Sequence, residues 1–296
     1  MQKYGPVPEF PVKGKIALIT GGGSGIGFAL SRLLHERGAH IVIGDIKLVS
    51  EAEEWIAQVP KEEVFWQSCD VTSWKDLHDL ISASVKHFND VPDIYVPSAG
   101  VFEPTWSNFW GDSEDESYKA LRINVDHPIK LTRLAMRALA GAEKQGVVAL
   151  IASSAGIRGN YLACLYSSAK HAIVGLAKSL GQADVEEGVK VICILPGMVQ
   201  SPLWEDRQDD IAKETQYQER LKSALQPIDI AENMLLMIES PEYDGGSCVL
   251  KTKAEERIVE EGYAKSVGKY DPSPRPEPDL RRIKELLLQH RGKAWV

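Results

Sequence analysis

The stretch KIALITGGGSGIGFALSRLLHERGAHIVIGD, residues 15–45, decides how the chain is read. Its first apolar run, Lys15 to Thr20, stops at a cluster of glycines. An amphipathic segment follows from Ile26 to Arg37, and a second apolar run, Ile41 to Ile43, ends at Asp45. Strand, turn, helix and strand within about thirty residues is the dimension of a βαβ unit. Between the first strand and the helix stands Gly21-Gly22-Gly23-Ser24-Gly25-Ile26-Gly27. This is not the usual G-x-G-x-x-G fingerprint, but the physics carries over. Glycine lets backbone approach a pyrophosphate closely, and the N–H groups and positive dipole end of the following helix stabilise phosphate charge. Turns collect glycine for conformational reasons too; the placement between a buried strand and a helix is what points to a dinucleotide. Asp45 ends the second strand, where a carboxylate can accept from both adenosine ribose hydroxyls and repels a 2′-phosphate. Ser24 holds the place where a cation would favour that phosphate, and Lys47 is the nearby cation. These residues favour NAD over NADP.

The alternation continues outward. Strands are predicted at Val64–Cys69, Asp93–Val96, Gly146–Ile151, Val189–Leu195 and Ser247–Leu250. Helices are predicted at Trp74–Phe88, Ser117–Leu139 with a bend at His127-Pro128, Ala163–Gln182 and Ile228–Ile238. Continuously apolar strands separated by helices imply an α/β fold, a doubly wound, mostly parallel sheet covered on both faces. The expected organisation is an N-terminal extension (1–14), one domain (15–265), then a proline-rich linker and C-terminal helix (266–296). That helix would carry Leu280, Ile283, Leu286 and Leu287 on one stripe; packing on its own domain, on a partner subunit or over the site all remain open.

The formal net charge of −8 and pI near 5.5 argue against nucleic-acid or anionic-membrane partners. Cys69, Cys164, Cys193 and Cys248 form no C-x-x-C pair and read as free thiols in a reducing compartment, so neither disulfides nor a metal site are expected. No signal-peptide core or membrane-spanning run is evident, and a cytoplasmic location is expected.

Ser153 follows the predicted strand Gly146–Ile151, and Tyr166-Ser167-Ser168-Ala169-Lys170 comes thirteen residues later. On a helix, positions i and i+4 share a face, so the Lys170 ammonium can lie beside the Tyr166 phenol. A phenol titrates near ~10, too high for a base at neutral pH. A neighbouring lysine and a cationic nicotinamide ring are expected to lower that value.

Taken together, Thr20-Gly21, Gly25, Gly27, Asp70, Ala99-Gly100, Asn124, Ser153, Tyr166, Lys170 and Pro196-Gly197 resemble, in order and spacing, the compact short-chain dehydrogenase/reductase family with its Rossmann-type fold. In texture the chain is most similar to the NAD-dependent 15-hydroxyprostaglandin dehydrogenase-like branch. The resemblance spans residues 15 to about 250. It implies that Tyr166 exchanges the hydroxyl proton of a secondary alcohol while hydride passes to nicotinamide. By the same resemblance Lys170 holds the nicotinamide ribose, Ser153 orients the substrate oxygen, and Asn124 holds a water leading to Lys170. Gly21, Gly23, Ser24, Gly25, Ile26 and Gly27 would cradle the pyrophosphate. Asp70 and Val71 would meet the adenine, and Ala99, Gly100, Pro196, Gly197, Val199 and Ser201 the remainder of the coenzyme. A homodimer or homotetramer through the helices at 117–139 and 163–182 is also implied. The chain departs from the family's Asn-Asn-Ala-Gly, having Pro97-Ser98-Ala99-Gly100. His127 receives no chemical role and is expected to be structural.

The pocket is expected to draw on Val101, Phe102, Ala155, Ile157, Tyr161, Leu162, Met198, Leu203 and Trp204. Such a lining suits a lipid-, terpenoid-, steroid- or polyketide-like alcohol better than a sugar. A ketone reductase using NADH or NADPH, a non-redox isomerase and a non-catalytic dinucleotide binder are the competing readings.

Overall fold

The computed structural model describes residues 4–111, 117–207, 224–260, 288 and 291–293. The expected Pro-rich linker and the stripe from Leu280 to Leu287 lie outside them.

The chain runs β1 (Ile16–Thr20), α1 (Gly25–Glu36), β2 (His40–Asp45), α2 (Ser50–Gln58), β3 (Val64–Ser68), α3 (Trp74–Phe88) and β4 (Ile94–Pro97). A short turn α4 (Lys119–Leu121) and a π segment (Arg122–Asp126) lead into α5 (His127–Gly141) and β5 (Gly146–Ile151). Then come α6 (Cys164–Ser179), α7 (Ala183–Glu187), β6 (Val189–Pro196), α8 (Pro227–Glu239), β7 (Cys248–Lys251) and β8 (Glu256–Ile258). The strands form one eight-stranded sheet in the order β3-β2-β1-β4-β5-β6-β7-β8. All neighbours are parallel except β7 and β8. The winding reverses between β1 and β4, which opens a crevice at the carboxyl ends of the strands.

In sheet order, the strands from β2 through β7 bury both faces, so the sheet has two cores. One joins α1 and α8 with Val7, Phe10 and Val12; the other joins α3, α5 and α6. The segment before residue 15 is thus packed from Val7 onward. The Val7 N–H donates to Asp184 and the Phe10 N–H to the Glu239 carbonyl. The Lys190 ammonium, fully buried, donates to the carbonyls of Met237, Ile238 and Ser240. It thereby satisfies acceptors left open at the C-terminal end of α8.

Four elements depart from expectation. The helix predicted over 117–139 is not continuous with a simple bend. Pro128 lacks an N–H and its ring crowds the carbonyl four residues back, so the turn before it widens. There the His127 N–H bonds the Arg122 carbonyl, five residues away. The helix expected over 163–182 opens with a 3-10 turn, Tyr161–Ala163, and its regular part ends at Ser179. The antiparallel strand β8, and α2 with its single buried residue, Ala52, carried too little apolar pattern to be read. Pro97 is tolerated because β4 has already left β5: pairing with β5 covers Ile94 and Tyr95, whereas pairing with β1 continues to Pro97.

Candidate active site

The crevice at the switch point is a cleft of about 1060 Å³. Its lining includes Gly21, Ser24, Gly25, Ile26, Asp45, Asp70, Val71, Ala99, Gly100, Ser153, Tyr166, Lys170, Pro196, Gly197, Val199 and Ser201. Gly23, Gly27 and Asn124 stand outside that lining, as supports.

At one end the glycine turn is shaped by contacts that leave no room for a side chain. A Cβ on Gly27 would meet the Gly21 carbonyl oxygen at 2.2 Å, so α1 packs directly on the turn. Gly21 has φ +66°, and its Cβ would strike the Ala99 backbone at 2.6 Å. This cradle fits a pyrophosphate approached by bare backbone. The Asp45 Oδ2 accepts the Gly23 N–H at 2.9 Å. Burial pushes the Asp45 carboxyl up, and hydrogen bonds from the Gly23, Lys47 and Ile46 backbone oppose that rise. Its carboxylate also faces the cleft, beside Ile46 and Lys47. Asp70 accepts from the Thr72 N–H and hydroxyl. Partial burial pulls the Asp70 carboxyl upward, but those two bonds with Lys119 and Arg122 outweigh it and hold the group low. Lys119 also lines the cleft without having been singled out in the sequence, where it belongs to no motif, and so does Ser98, from the stretch that departs from Asn-Asn-Ala-Gly.

At the other end β5 and α6 bring Ser153, Tyr166 and Lys170 together. The Ser153 side chain favours the ionised form of the Tyr166 phenol, while its hydroxyl reaches the Pro196 carbonyl at 3.5 Å and accepts the Ala155 N–H at 3.1 Å. Lys170 lies 5.5 Å from the centre of the tyrosine ring, and its ammonium donates to the Ile151 carbonyl at 2.9 Å. The neighbouring lysine by itself does not lower the phenol. Burial pushes Tyr166 up to about 12, against the Ser153 hydrogen bond, while burial pulls Lys170 down to about 8. Desolvation opposes each group's charged form and is the largest cause at both.

Asn124, 2 % exposed, is committed on both sides of its amide. Oδ1 accepts the Val101 N–H at 3.1 Å and Nδ2 donates to the Val101 carbonyl at 2.8 Å. Its side chain therefore pins the loop after β4. Pro128, four residues on, has no N–H to give the Asn124 carbonyl. His127 is fully buried; its Nδ1–H donates to the Ile123 carbonyl, so Nε2 accepts from the Thr20 hydroxyl at 2.9 Å. Burial pushes the ring down to about 3, which keeps it neutral and structural.

The wall beside the phenol is aromatic. Phe102 meets the Tyr166 ring edge-on at 4.7 Å and the Trp204 ring at 4.6 Å. Trp204 is fixed by its indole N–H, which donates to the Val199 carbonyl at 2.8 Å. Val101, Ala155, Leu162, Met198 and Leu203 line the cleft as expected. Ile157 and Tyr161 do not. Ile157 packs against the core, and Tyr161, 77 % exposed, stacks outward on Trp110. Among the described residues no group of three His, Cys, Asp or Glu side chains could hold a metal ion. Among the same residues, no helix is long and apolar enough to cross a membrane.

Comparison with known proteins agrees with this architecture. The family model described as short chain dehydrogenase matches residues 15–212. An uncharacterized oxidoreductase of Thermotoga maritima is 35% identical over 64% of this chain and 73% of its own length. The L-fucose dehydrogenase of Bos taurus is 29% identical over 89% of this chain and 96% of its own. The 15-hydroxyprostaglandin dehydrogenase [NAD(+)] of Mus musculus is 27% identical over 85% of this chain and 94% of its own. In structure, a glucose/ribitol dehydrogenase of Brucella melitensis superposes with a TM-score of 0.67 at 24% identity, covering 82% of this chain and 97% of that one. The chain belongs to the short-chain dehydrogenase family. It is accordingly an oxidoreductase acting on alcohols or ketones with a nicotinamide dinucleotide.

Proposed function

We propose that this enzyme oxidises a secondary alcohol on an apolar small molecule, using NAD. The observation that carries the reading is one continuous cleft in which the Ser153–Tyr166 pair and Lys170 share a wall with the glycine turn and Asp45. The turn and Asp45 would hold the dinucleotide, whose nicotinamide ring supplies the hydride acceptor. A 2′-phosphate would have to sit against the Asp45 carboxylate, which favours NAD. Ser153 orients the substrate hydroxyl by hydrogen bonding, and the Tyr166 phenolic oxygen takes its proton. Burial holds that phenol up at about 12 even against Ser153, so the positive charge of an oxidised nicotinamide ring would favour the phenolate. In this reading Lys170 holds the nicotinamide ribose.

Relatives bear the names of both polar and apolar substrates, L-fucose and 15-hydroxyprostaglandin among them. The Phe102–Trp204 wall favours the apolar class, since it offers a polyol no hydrogen-bonding partner beyond the Trp204 indole, already spent on Val199. Association into a homodimer or homotetramer through α5 and α6 is part of the same reading; Ile129 on α5 is an exposed apolar residue available for it. The test is NADH formation on a panel containing 1-phenylethanol, 2-decanol and a hydroxysteroid against sorbitol and galactitol, each with NAD and NADP. Turnover of the apolar alcohols with NAD is expected. Turnover confined to polyols would overturn the substrate class, and none on any secondary alcohol would overturn the reaction.

A further inference from the structure

Asn160 caps the 3-10 turn that leads into the helix presenting the phenol, accepting the Leu162 N–H at 3.1 Å. The helix itself, α6, has no side-chain cap. Its N-cap residue is Ala163, which makes no side-chain bond to the first turn. Tyr166 is the third residue of α6, the position whose N–H an N-cap side chain ordinarily receives. That N–H instead donates to the Glu103 carboxylate, Oε1 at 2.8 Å, from a residue 63 positions earlier in the chain. Glu103 is 5 % exposed. It occupies the left-handed region at φ +41°, a conformation disfavoured for a residue with a side chain. A strained backbone persists where its surroundings over-determine it. Here the preceding residues supply that constraint: both backbone groups of Val101 are held by Asn124, and the Phe102 ring rests on Tyr166.

We propose that Glu103 is a positioning residue, the capping acceptor for α6 delivered from the loop after β4. It fixes the Tyr166 backbone, and hence the phenol, relative to the loop that walls the cleft. The carboxylate suits the positive end of the helix dipole as well as the N–H. The proposal rests on the reading of Tyr166 as the proton-transfer group, and adds to it a residue outside the family's motifs.

Two variants separate positioning from bulk. Glu103→Met keeps the volume and removes the acceptor; Glu103→Gln keeps an acceptor oxygen. With 1-phenylethanol and NAD as probes, Glu103→Met is expected to lower kcat about tenfold to a hundredfold, as sub-ångström misplacement of a reacting group does. Its Kd for NADH should stay within about threefold of the unaltered enzyme. Hydrogen exchange at the Tyr166 amide should be faster in Glu103→Met and restored, together with kcat, in Glu103→Gln. Unchanged exchange and unchanged kcat in Glu103→Met would overturn the proposal, as would a glutamine variant impaired as severely as the methionine one. If Glu103→Met does not fold, Glu103→Gln decides: a protected Tyr166 amide supports the cap and a freely exchanging one refutes it. A Tyr166→Phe control with undiminished turnover would sink the proton-transfer reading instead, while amide exchange would still judge the cap.

Discussion

The two ends of the cleft are built on different principles. At the glycine end, position is set by backbone against backbone: Gly27 packs on the Gly21 carbonyl, Gly21 on Ala99, and Asp45 is tied to the Gly23 N–H. At the phenol end, position is set by side chains reaching across the fold: Asn124 to Val101, Phe102 to Tyr166 and Trp204, and the Trp204 indole to Val199. The first end presents polar groups to an invariant ligand chemistry, the phosphates and ribose of a dinucleotide. The second presents an aromatic wall whose shape depends on loops. Such a division lets a family keep its coenzyme while its substrates diverge.

Substitutions at each end should therefore fail in different ways. The largest effect is expected from Tyr166→Phe, which removes the proton acceptor and keeps the ring against Phe102. Turnover should drop by about 10³-fold while NADH binding, followed by fluorescence titration, is preserved. Parallel loss of both would mean that the ends are not separable. Next comes Asp45→Ser, which should shift the kcat/KM ratio of NAD to NADP toward NADP by about a hundredfold, leaving the alcohol KM unaltered. An unchanged ratio would remove Asp45 from the ribose site. Trp204→Ala should raise KM for 2-decanol about tenfold with little change in coenzyme affinity. A fall in NADH affinity of the same size would show that the Val199 carbonyl contact serves the coenzyme instead.

The smallest effect concerns pH. His127 titrates near 6.5 when unfolded and is pushed down to about 3 by burial in the native state. Between those values the unfolded chain binds a proton that the native state refuses. The contribution to stability is therefore complete above 6.5 and falls away as pH drops, by up to about 1.4 kcal/mol per unit. Urea denaturation of His127→Gln should show a shallower decline than the unaltered chain between pH 6.5 and 5. Equal slopes would contradict the neutral, buried imidazole.

Much of the glycine end was legible before any coordinates. The apolar runs at Ile16–Thr20 and Ile41–Ile43 mark strands because both faces are buried, and the glycines between them read as a turn from their neighbours alone. Ser153, Tyr166 and Lys170 were marked by the resemblance to the short-chain dehydrogenases, and helical spacing accounts only for Tyr166 and Lys170 sharing a face. The phenol end was only half readable. Ile157 and Tyr161 have the same apolar character as Leu162 and Leu203, yet one joins the core and the other faces outward. The widened turn at Arg122–Asp126 was visible only as a proline in an otherwise helical pattern.

Local pattern by itself determined the main alternation of strands and helices, the parallel sheet and the glycine turn, while the resemblance in ordered motifs marked the serine–tyrosine–lysine set. The local features depend on residues a few positions apart, whose periodicity survives in one dimension. Tertiary structure decided the direction of the Tyr166 and Lys170 shifts, the engagement of the Asn124 amide, the Phe102–Trp204 wall and the Glu103 bond. Those depend on desolvation and on contacts between residues far apart in the chain, 63 positions for Glu103 and Tyr166. Burial and partners at that range are properties of the chain's path, which no stretch of sequence carries within itself.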